Sequence, residues 1–161
     1  YLRIPGWCQG WSVRVNGELL TSPAIEDGYL ELSRPWNHGD SVELSLEMPI
    51  ERVRSNSLVR ETMGKVALRR GPLVYCLEET DNGENLSALF LGGEDELMVD
   101  FDQDLGLPAI MGPAKRLASR TQDLHTTEEP EIETVQIKAI PYFAWDNRKP
   151  GEMLVWLGES F

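Results

Sequence analysis

Lys65-Val66-Ala67-Leu68-Arg69-Arg70-Gly71-Pro72-Leu73-Val74-Tyr75-Cys76-Leu77-Glu78 reads as two strand-like halves broken by Gly71-Pro72. Glycine reaches positive φ freely and proline fixes its own φ, so the pair marks a turn. Period-two patterning recurs on either side of this run. Val42, Leu44, Leu46 and Met48 alternate with Ser41, Glu43, Ser45 and Glu47, the pattern of a half-buried strand. Val13 and Val15 flank Arg14 and lead into Asn16-Gly17, a pair suited to a tight hairpin because both residues tolerate positive φ. Leu30 and Leu32 alternate with Tyr29, Glu31 and Ser33; Val135, Ile137 and Ala139 alternate with Gln136 and Lys138. A last strand is expected over Met153 to Leu157. Asp27-Gly28, His38-Gly39-Asp40, Asn82-Gly83, Gly92-Gly93 and Gly112-Pro113 read as further breakers. No amphipathic helix of three turns is evident, and Thr121 to Glu133 is expected to be a long exposed loop. Many short strands between regular turns predict an all-β fold: antiparallel β-sandwich, jelly-roll-like, as one or two sandwiches sharing strands.

The 161 residues, 41% of them apolar, suffice for one domain with a real core or two small ones. No apolar run approaches the length of a membrane span, so no membrane partner is expected. The net charge is −12, from 15 basic and 27 acidic residues. Ten of those carboxylates lie between Glu78 and Asp104, a stretch without Lys or Arg. Phosphate binding requires clustered basic residues, so nucleic acid is excluded as a partner, and the acidic stretch reads as a solvated face. Cys8 and Cys76 have no C-x-x-C partner and no nearby His, which leaves buried thiols or one disulfide open and zinc unsupported. Tyr1-Leu2-Arg3-Ile4-Pro5 already reads as a strand, so the sequence is expected to be a piece of a longer protein.

Few constellations carry chemistry. Asp100-Phe101-Asp102-Gln103-Asp104-Leu105-Gly106 has the alternate carboxylates of a calcium loop. Its sixth position is Leu105 rather than Gly, and its twelfth is Met111 rather than a bidentate Glu, so a solvated loop end is the better reading. Glycoside hydrolysis needs two carboxylates, one with a raised pKa. Glu78-Glu79 is the nearest candidate pair and is expected to be a strand terminus at the surface. The only histidines, His38 and His125, lie in turn and loop sequence, and no nucleophile elbow or phosphate loop occurs. Five tryptophans could stack on sugars, but large aromatics more often fill cores. Trp7 and Trp11, beside a glycine-rich turn, and Trp145 are the best candidates for exposure. The segment Pro141-Tyr142-Phe143-Ala144-Trp145-Asp146-Asn147-Arg148 sets three aromatics beside an Asp, an Asn and an Arg. It is read as a domain-packing corner, with Arg148 paired to Asp146, in preference to a sugar grip. Trp7, Trp11, Tyr142, Trp145, Asp146 and Arg148 are thus the candidate sugar or domain-interface contacts, with no catalytic, cofactor or metal residue.

Read in order, the motifs form a series. It runs from Leu2-Arg3-Ile4-Pro5-Gly6-Trp7-Cys8 through Val15-Asn16-Gly17-Glu18, Gly28-Tyr29-Leu30, Arg34-Pro35-Trp36, Gly39-Asp40 and Met48-Pro49. It continues with Gly64-Lys65-Val66-Ala67-Leu68 and Arg70-Gly71-Pro72-Leu73-Val74-Tyr75, then closes with Ile140-Pro141-Tyr142, Trp145-Asp146-Asn147-Arg148 and Met153-Leu154-Val155-Trp156. This order resembles the C-terminal part of the β-L-arabinofuranosidase family, glycoside hydrolase family 127, formerly domain of unknown function 1680. The resemblance implies a parent with a catalytic α/α barrel followed by β-sandwich domains. It also implies a zinc-bound cysteine nucleophile with a glutamate acid/base, all in that barrel. None of that barrel is present in 1–161, and Cys8 and Cys76 do not match the catalytic cysteines, so no zinc or catalytic residue is carried over. The expectation is one C-terminal region over 1–161, with a candidate subdivision near 55–65 and a sheet edge left exposed. Its expected role is that of a non-catalytic accessory domain of a glycoside hydrolase acting on arabinofuranosyl glycans. The parent's α/α barrel is the expected partner, and a homodimer contact is a further candidate. A carbohydrate-binding module and a free-standing structural or interaction protein are the alternatives.

Overall fold

Glycine-containing turns set the strand pairs, and the computed structural model describes them over residues 1–21, 24–93, 95–118 and 123–160. The chain forms two compact units, Tyr1–Pro49 and Ile50–Phe161. They meet at Pro49–Ile50, earlier in the chain than the 55–65 expected from the sequence.

The first unit holds β1 (Leu2–Arg3), β2 (Trp11–Val15), β3 (Glu18–Leu19), β4 (Ile25–Glu26), β5 (Tyr29–Leu30) and β6 (Val42–Leu46). They make two antiparallel three-stranded sheets, in the orders β1-β5-β4 and β3-β2-β6. Asn16 and Gly17 have φ of 52° and 83°, and Asp27 and Gly28 have 51° and 79°. Each pair closes a two-residue hairpin with both central residues left-handed, the geometry that matches strand twist. Val13, Val15, Leu30 and Ile4 form one buried cluster, with Trp11, Leu44 and Leu46 packed against it.

The second unit begins with β7 (Ile50–Arg54), β8 (Lys65–Arg70) and β9 (Leu73–Glu78), followed by the single helical turn α1 (Glu79–Asn82). Next come β10 (Leu89–Gly92), β11 (Met98–Asp102), β12 (Leu107–Ala118) and β13 (Glu131–Pro141), then β14 (Met153–Leu154) and β15 (Leu157–Ser160). The quoted run of 65–78 is the β8–β9 hairpin, with Arg70 opposite Leu73 and Gly71 at a φ of 52°. Of the loop expected over Thr121 to Glu133, Thr121 and Gln122 lie outside the described residues. Residues 123–130 carry no strand, and β13 takes over at Glu131.

Mostly antiparallel β-structure is as expected, but the jelly-roll sandwich gives way here to a closed barrel. Six strands form a ring, β8-β9-β13-β12-β10-β15, and β15 returns to β8. Closure arises because long strands divide one edge between two neighbours. β8 meets β9 through Arg69 and Arg70, and meets β15 through Lys65 and Val66. β12 pairs with β11 up to Met111 and with β10 from Lys115. Gly112-Pro113, expected as a breaker, lies inside this twelve-residue strand. It occupies the gap between β11 and β10, where proline's missing N–H leaves no neighbouring strand unbonded on that edge. The expected strand over Met153 to Leu157 is two strands, because β14 pairs with β9 whereas β15 joins β8 and β10.

The barrel interior holds Leu68, Tyr75, Leu77, Leu91, Ile110 and Ile137 among its buried side chains. A second cluster of Cys76, Ile140 and Ala144, with Met153, Val155 and Leu107, packs separately. Alternate residues of β9 therefore enter different clusters, Tyr75 and Leu77 the first and Cys76 the second. Burial on both faces accounts for the apolar run Tyr75 to Leu77, whereas Val74 before it is exposed. Among the described residues β11 pairs only with β12, and it presents Met98, Val99 and Phe101 to solvent, an open sheet edge.

A Cβ added to Gly112 would lie 2.7 Å from the Glu96 carbonyl oxygen, a backbone atom with little room to yield. Gly112→Ala is expected to lower unfolding stability by about 1–3 kcal/mol, the usual range for overpacking, read as a lower denaturant midpoint. A midpoint equal to wild type would show that the strand moves aside without cost.

Candidate functional site

The strand β9 ends at Glu78, and the segment after β13 passes back over it. Tyr142–Ala144 form a single 3-10 turn, Asp146 takes a φ of 63°, and β14 then pairs with the end of β9, Met153 opposite Glu78. Glu78 is consequently only 5% exposed rather than at the surface as the sequence suggested. Its carboxylate accepts the Asp146 N–H at 3.1 Å and the Arg148 Nε–H at 3.0 Å. Arg148 is paired with Glu78 and Asp81, not with Asp146: Nη1 donates to Asp81 Oδ1 at 3.0 Å, and Nη2 reaches both carboxylates. Asp81 also accepts from Lys138 Nζ at 2.6 Å, and Lys138 reaches Asp102 Oδ2 at 2.7 Å. Glu78, Arg148, Asp81, Lys138 and Asp102 thus form one chain of alternating charge.

Burial tends to raise the Asp81 pKa, but the hydrogen bonds and charges of Arg148 and Lys138 outweigh it and hold the carboxyl below its usual value. The hydrogen bond from Lys138 and the N–H groups of Leu105 and Asp104 lower Asp102 in the same way. Burial opposes the charge on Lys138, yet its two carboxylates raise its pKa. Arg148 is raised as well, by hydrogen bonds to Asp81 and Glu78 that outweigh burial. All of these shifts favour the charged forms. General acid catalysis requires the reverse, a carboxyl kept protonated near neutral pH.

Asn82 completes the arrangement from α1. Its side-chain amide donates to the Glu78 and Lys138 carbonyls, each at 2.9 Å, and its Oδ1 accepts the Lys138 N–H at 2.9 Å. The side chain so takes over the backbone bonds of Lys138, just past the Ala139–Leu77 pair where the β9–β13 ladder ends.

The other site residues separate by unit. Trp7 and Trp11 are half-buried in the first unit, Trp11 against its core. Tyr142 and Trp145 are 44% and 38% exposed in the second, their rings in contact at a 5.9 Å centroid separation and 33° tilt. Phe143, which sequence reasoning did not single out, is the most open of the three at 61%. The Asp100–Gly106 loop closes on itself: Asp102 Oδ1 accepts from the N–H groups of Asp104 and Leu105, and its Oδ2 from Lys138. Both cysteines are free thiols. Burial and the nearby Glu78 charge push the Cys76 thiol up to about 12, far from the thiolate that binds zinc. Among the described residues no three His, Cys, Asp or Glu converge as metal ligands, so these residues do not fit the family's zinc.

Comparison with known proteins places both units. Residues 1–48 match the family model for the beta-L-arabinofuranosidase GH127 middle domain, and residues 50–158 that for the glycoside hydrolase family 127 C-terminal domain. The non-reducing end beta-L-arabinofuranosidase of Bifidobacterium longum subsp. longum is 39% identical over 168 residues, covering 96% of this chain and 25% of its own length. Ara127N-Se, a GH127 beta-L-arabinofuranosidase from Geobacillus stearothermophilus T6, has a solved structure that superposes with a TM-score of 0.87 at 47% identity, over 98% of this chain and 26% of that one. A GH127 beta-arabinofuranosidase, BT3674, gives a TM-score of 0.82 at 33% identity, over 94% and 23%. The chain spans about a quarter of the length of these relatives.

Replacing Arg148 by Met would leave the Glu78 carboxylate buried without its cation. The expected loss is about 3 kcal/mol, at the low end for breaking a buried pair, since Arg148 keeps 21% of its side-chain surface exposed. Chemical denaturation of R148M, and of the double variant E78Q/R148M, measures it; the double variant should recover part of the loss. The pH dependence follows from the lowered pKa values of Asp81 and Asp102. Their contribution is fully present above the ordinary aspartate value of 3.8 and is lost as pH falls below it through the folded-state values. The denaturant midpoint should fall there in wild type, and more shallowly in Asp81→Asn.

Proposed function

This chain belongs to glycoside hydrolase family 127, and from that premise we propose that it is a non-catalytic accessory region of a larger hydrolase acting on arabinofuranosyl glycans. The single observation that carries the reading is the state of its buried carboxylates. Glu78 is held by Arg148, and the other buried carboxylate, Glu159, by Arg54 and Arg52. Most glycosidases need a carboxylic acid and a free carboxylate facing a sugar. The family resemblance implies a glutamate acid/base beside a cysteine nucleophile, so either way a carboxyl must be free to meet the sugar. Here the carboxylates face guanidinium groups. His38 and His125 are both exposed. The partner in this reading is the parent's catalytic α/α barrel, where the family resemblance puts the zinc and the nucleophile. The names of the relatives supply the arabinofuranosyl substrate, and the chain would reach that chemistry only through the protein it braces.

The rival, a carbohydrate-binding module, draws support from the exposed Tyr142 and Trp145. Their rings lean on each other, so they offer one composite face rather than two platforms for successive sugars. Trp7 and Trp11 support the first unit from half-buried positions. A homodimer contact is a further candidate role, which the net charge of −12 on each copy opposes.

The purified chain is expected to release no arabinose from β-L-arabinofuranosides, and calorimetry is expected to show no heat of binding with arabinan or arabino-oligosaccharides. Turnover lost on mutating Glu78 would overturn the non-catalytic reading. Saturable glycan binding abolished by Trp145→Ala in a folded protein would favour the module.

A further inference from the structure

The ion chain orders the turn that carries three exposed aromatic rings. Arg148 and the Asp146 N–H fasten the 142–148 turn to Glu78, and the Asn147 amide donates to the carbonyls of Ala144 and Trp145 at 3.0 and 3.3 Å. Outward from it stand Tyr142, Phe143 and Trp145. A well-packed apolar cluster would hold the turn with comparable stability, since desolvation cancels much of what a buried ion pair gains. What the charged chain adds is a fixed position for the rings.

We infer that Tyr142, Phe143 and Trp145 form a pre-organised docking face for an apolar surface on the larger remainder of the same polypeptide. The inference rests on the accessory reading and names the surface through which bracing acts. Three observations choose this occupant. A sugar site needs polar groups beside its stacking rings, free to meet hydroxyls. Here Arg148 is spent on Glu78 and Asp81, and the Asn147 amide nitrogen on the turn's own carbonyls. A second copy would bring another −12 of charge to the contact, and like charges oppose that association. The relatives extend over about four times this length, so a partner in the same polypeptide is at hand. A rigid aromatic face loses little conformational entropy on docking, which is where pre-organisation adds affinity.

Hydroxyl-radical footprinting of the intact protein from the full reading frame tests the face. Phe143 and Phe101 are 61% and 53% exposed in this chain, so they should label alike if both are open. Each is normalised to the same protein unfolded in guanidinium chloride. The expected result is that Phe143 loses most of its labelling relative to Phe101, at every protein concentration and without added sugar. In Phe143→Glu the labelling of Tyr142 and Trp145 should rise, while the circular dichroism of the barrel stays unchanged. Equal labelling of Phe143 and Phe101 would overturn the inference. Protection that grows with protein concentration would replace it with self-association, and protection seen only with arabino-oligosaccharide would replace it with a sugar site. Arabinose release by this chain alone would instead sink the accessory reading, and is measured separately.

Discussion

The Arg148 guanidinium lies between Glu78 and Asp81, and much of the second unit is arranged around that contact. β9 can end in a buried carboxylate only because a cation from the far end of the chain meets it. The same cation fixes the turn after β13, which lets β14 pair with the end of β9 and Ala144 pack beside Cys76 and Ile140. Lys138 carries the alternation on to Asp102, whose other oxygen organises the bend before β12. Three carboxylates and two cations leave one net negative charge, which the N–H groups of Asp146, Asp104 and Leu105 help to hold.

The arrangement also differs from the setting in which carboxylates act as catalysts. Catalytic carboxylates are kept reactive by environments that disfavour their charge. Here each ionised group sees an opposite charge or an N–H donor, and Asp81 and Asp102 are pushed toward ionisation. Such groups hold strands in register and resist proton exchange. That fits the accessory role proposed for this region.

Local features were the legible ones. Asn16-Gly17, Asp27-Gly28 and Gly71-Pro72 announce their hairpins because the turn residues alone decide the backbone. Val13 and Val15 alternate around Arg14 for a core that lies on one side. The errors were all non-local. Gly112-Pro113 looked like a turn because nothing in its neighbourhood reveals that β11 stops and β10 starts on either side of it. Glu78 looked like a solvated strand end because its partner Arg148 is 70 residues away. The likeliest-seeming partner of Arg148, Asp146, is instead turned aside by a left-handed backbone. Barrel closure was illegible for the same reason, since one strand sharing an edge between two neighbours leaves no periodic trace. Phe143 was passed over because an aromatic in an apolar run carries no mark of facing outward. A sharper signal was available in Glu78 and Asp81, a carboxylate pair one turn apart after an apolar strand with no cation nearby.

The parallel pair of β10 and β15 has a consequence for how this polypeptide comes into being. Phe90 to Gly92 lie beside Gly158 to Ser160, and Leu157 and Gly158 of the same strand pair with Val66 and Lys65 of β8. The ring is therefore sealed by the strand that is synthesised after its other five members. Contacts of such long sequence separation form slowly, because the intervening chain must be ordered first. While β15 is still within the exit tunnel, β8 and β10 carry unsatisfied edges and the interior has an open seam. The described hairpins of Tyr1–Pro49 pair within their own unit and are synthesised before β15. During synthesis the second unit thus passes through a vulnerable interval before its barrel can close.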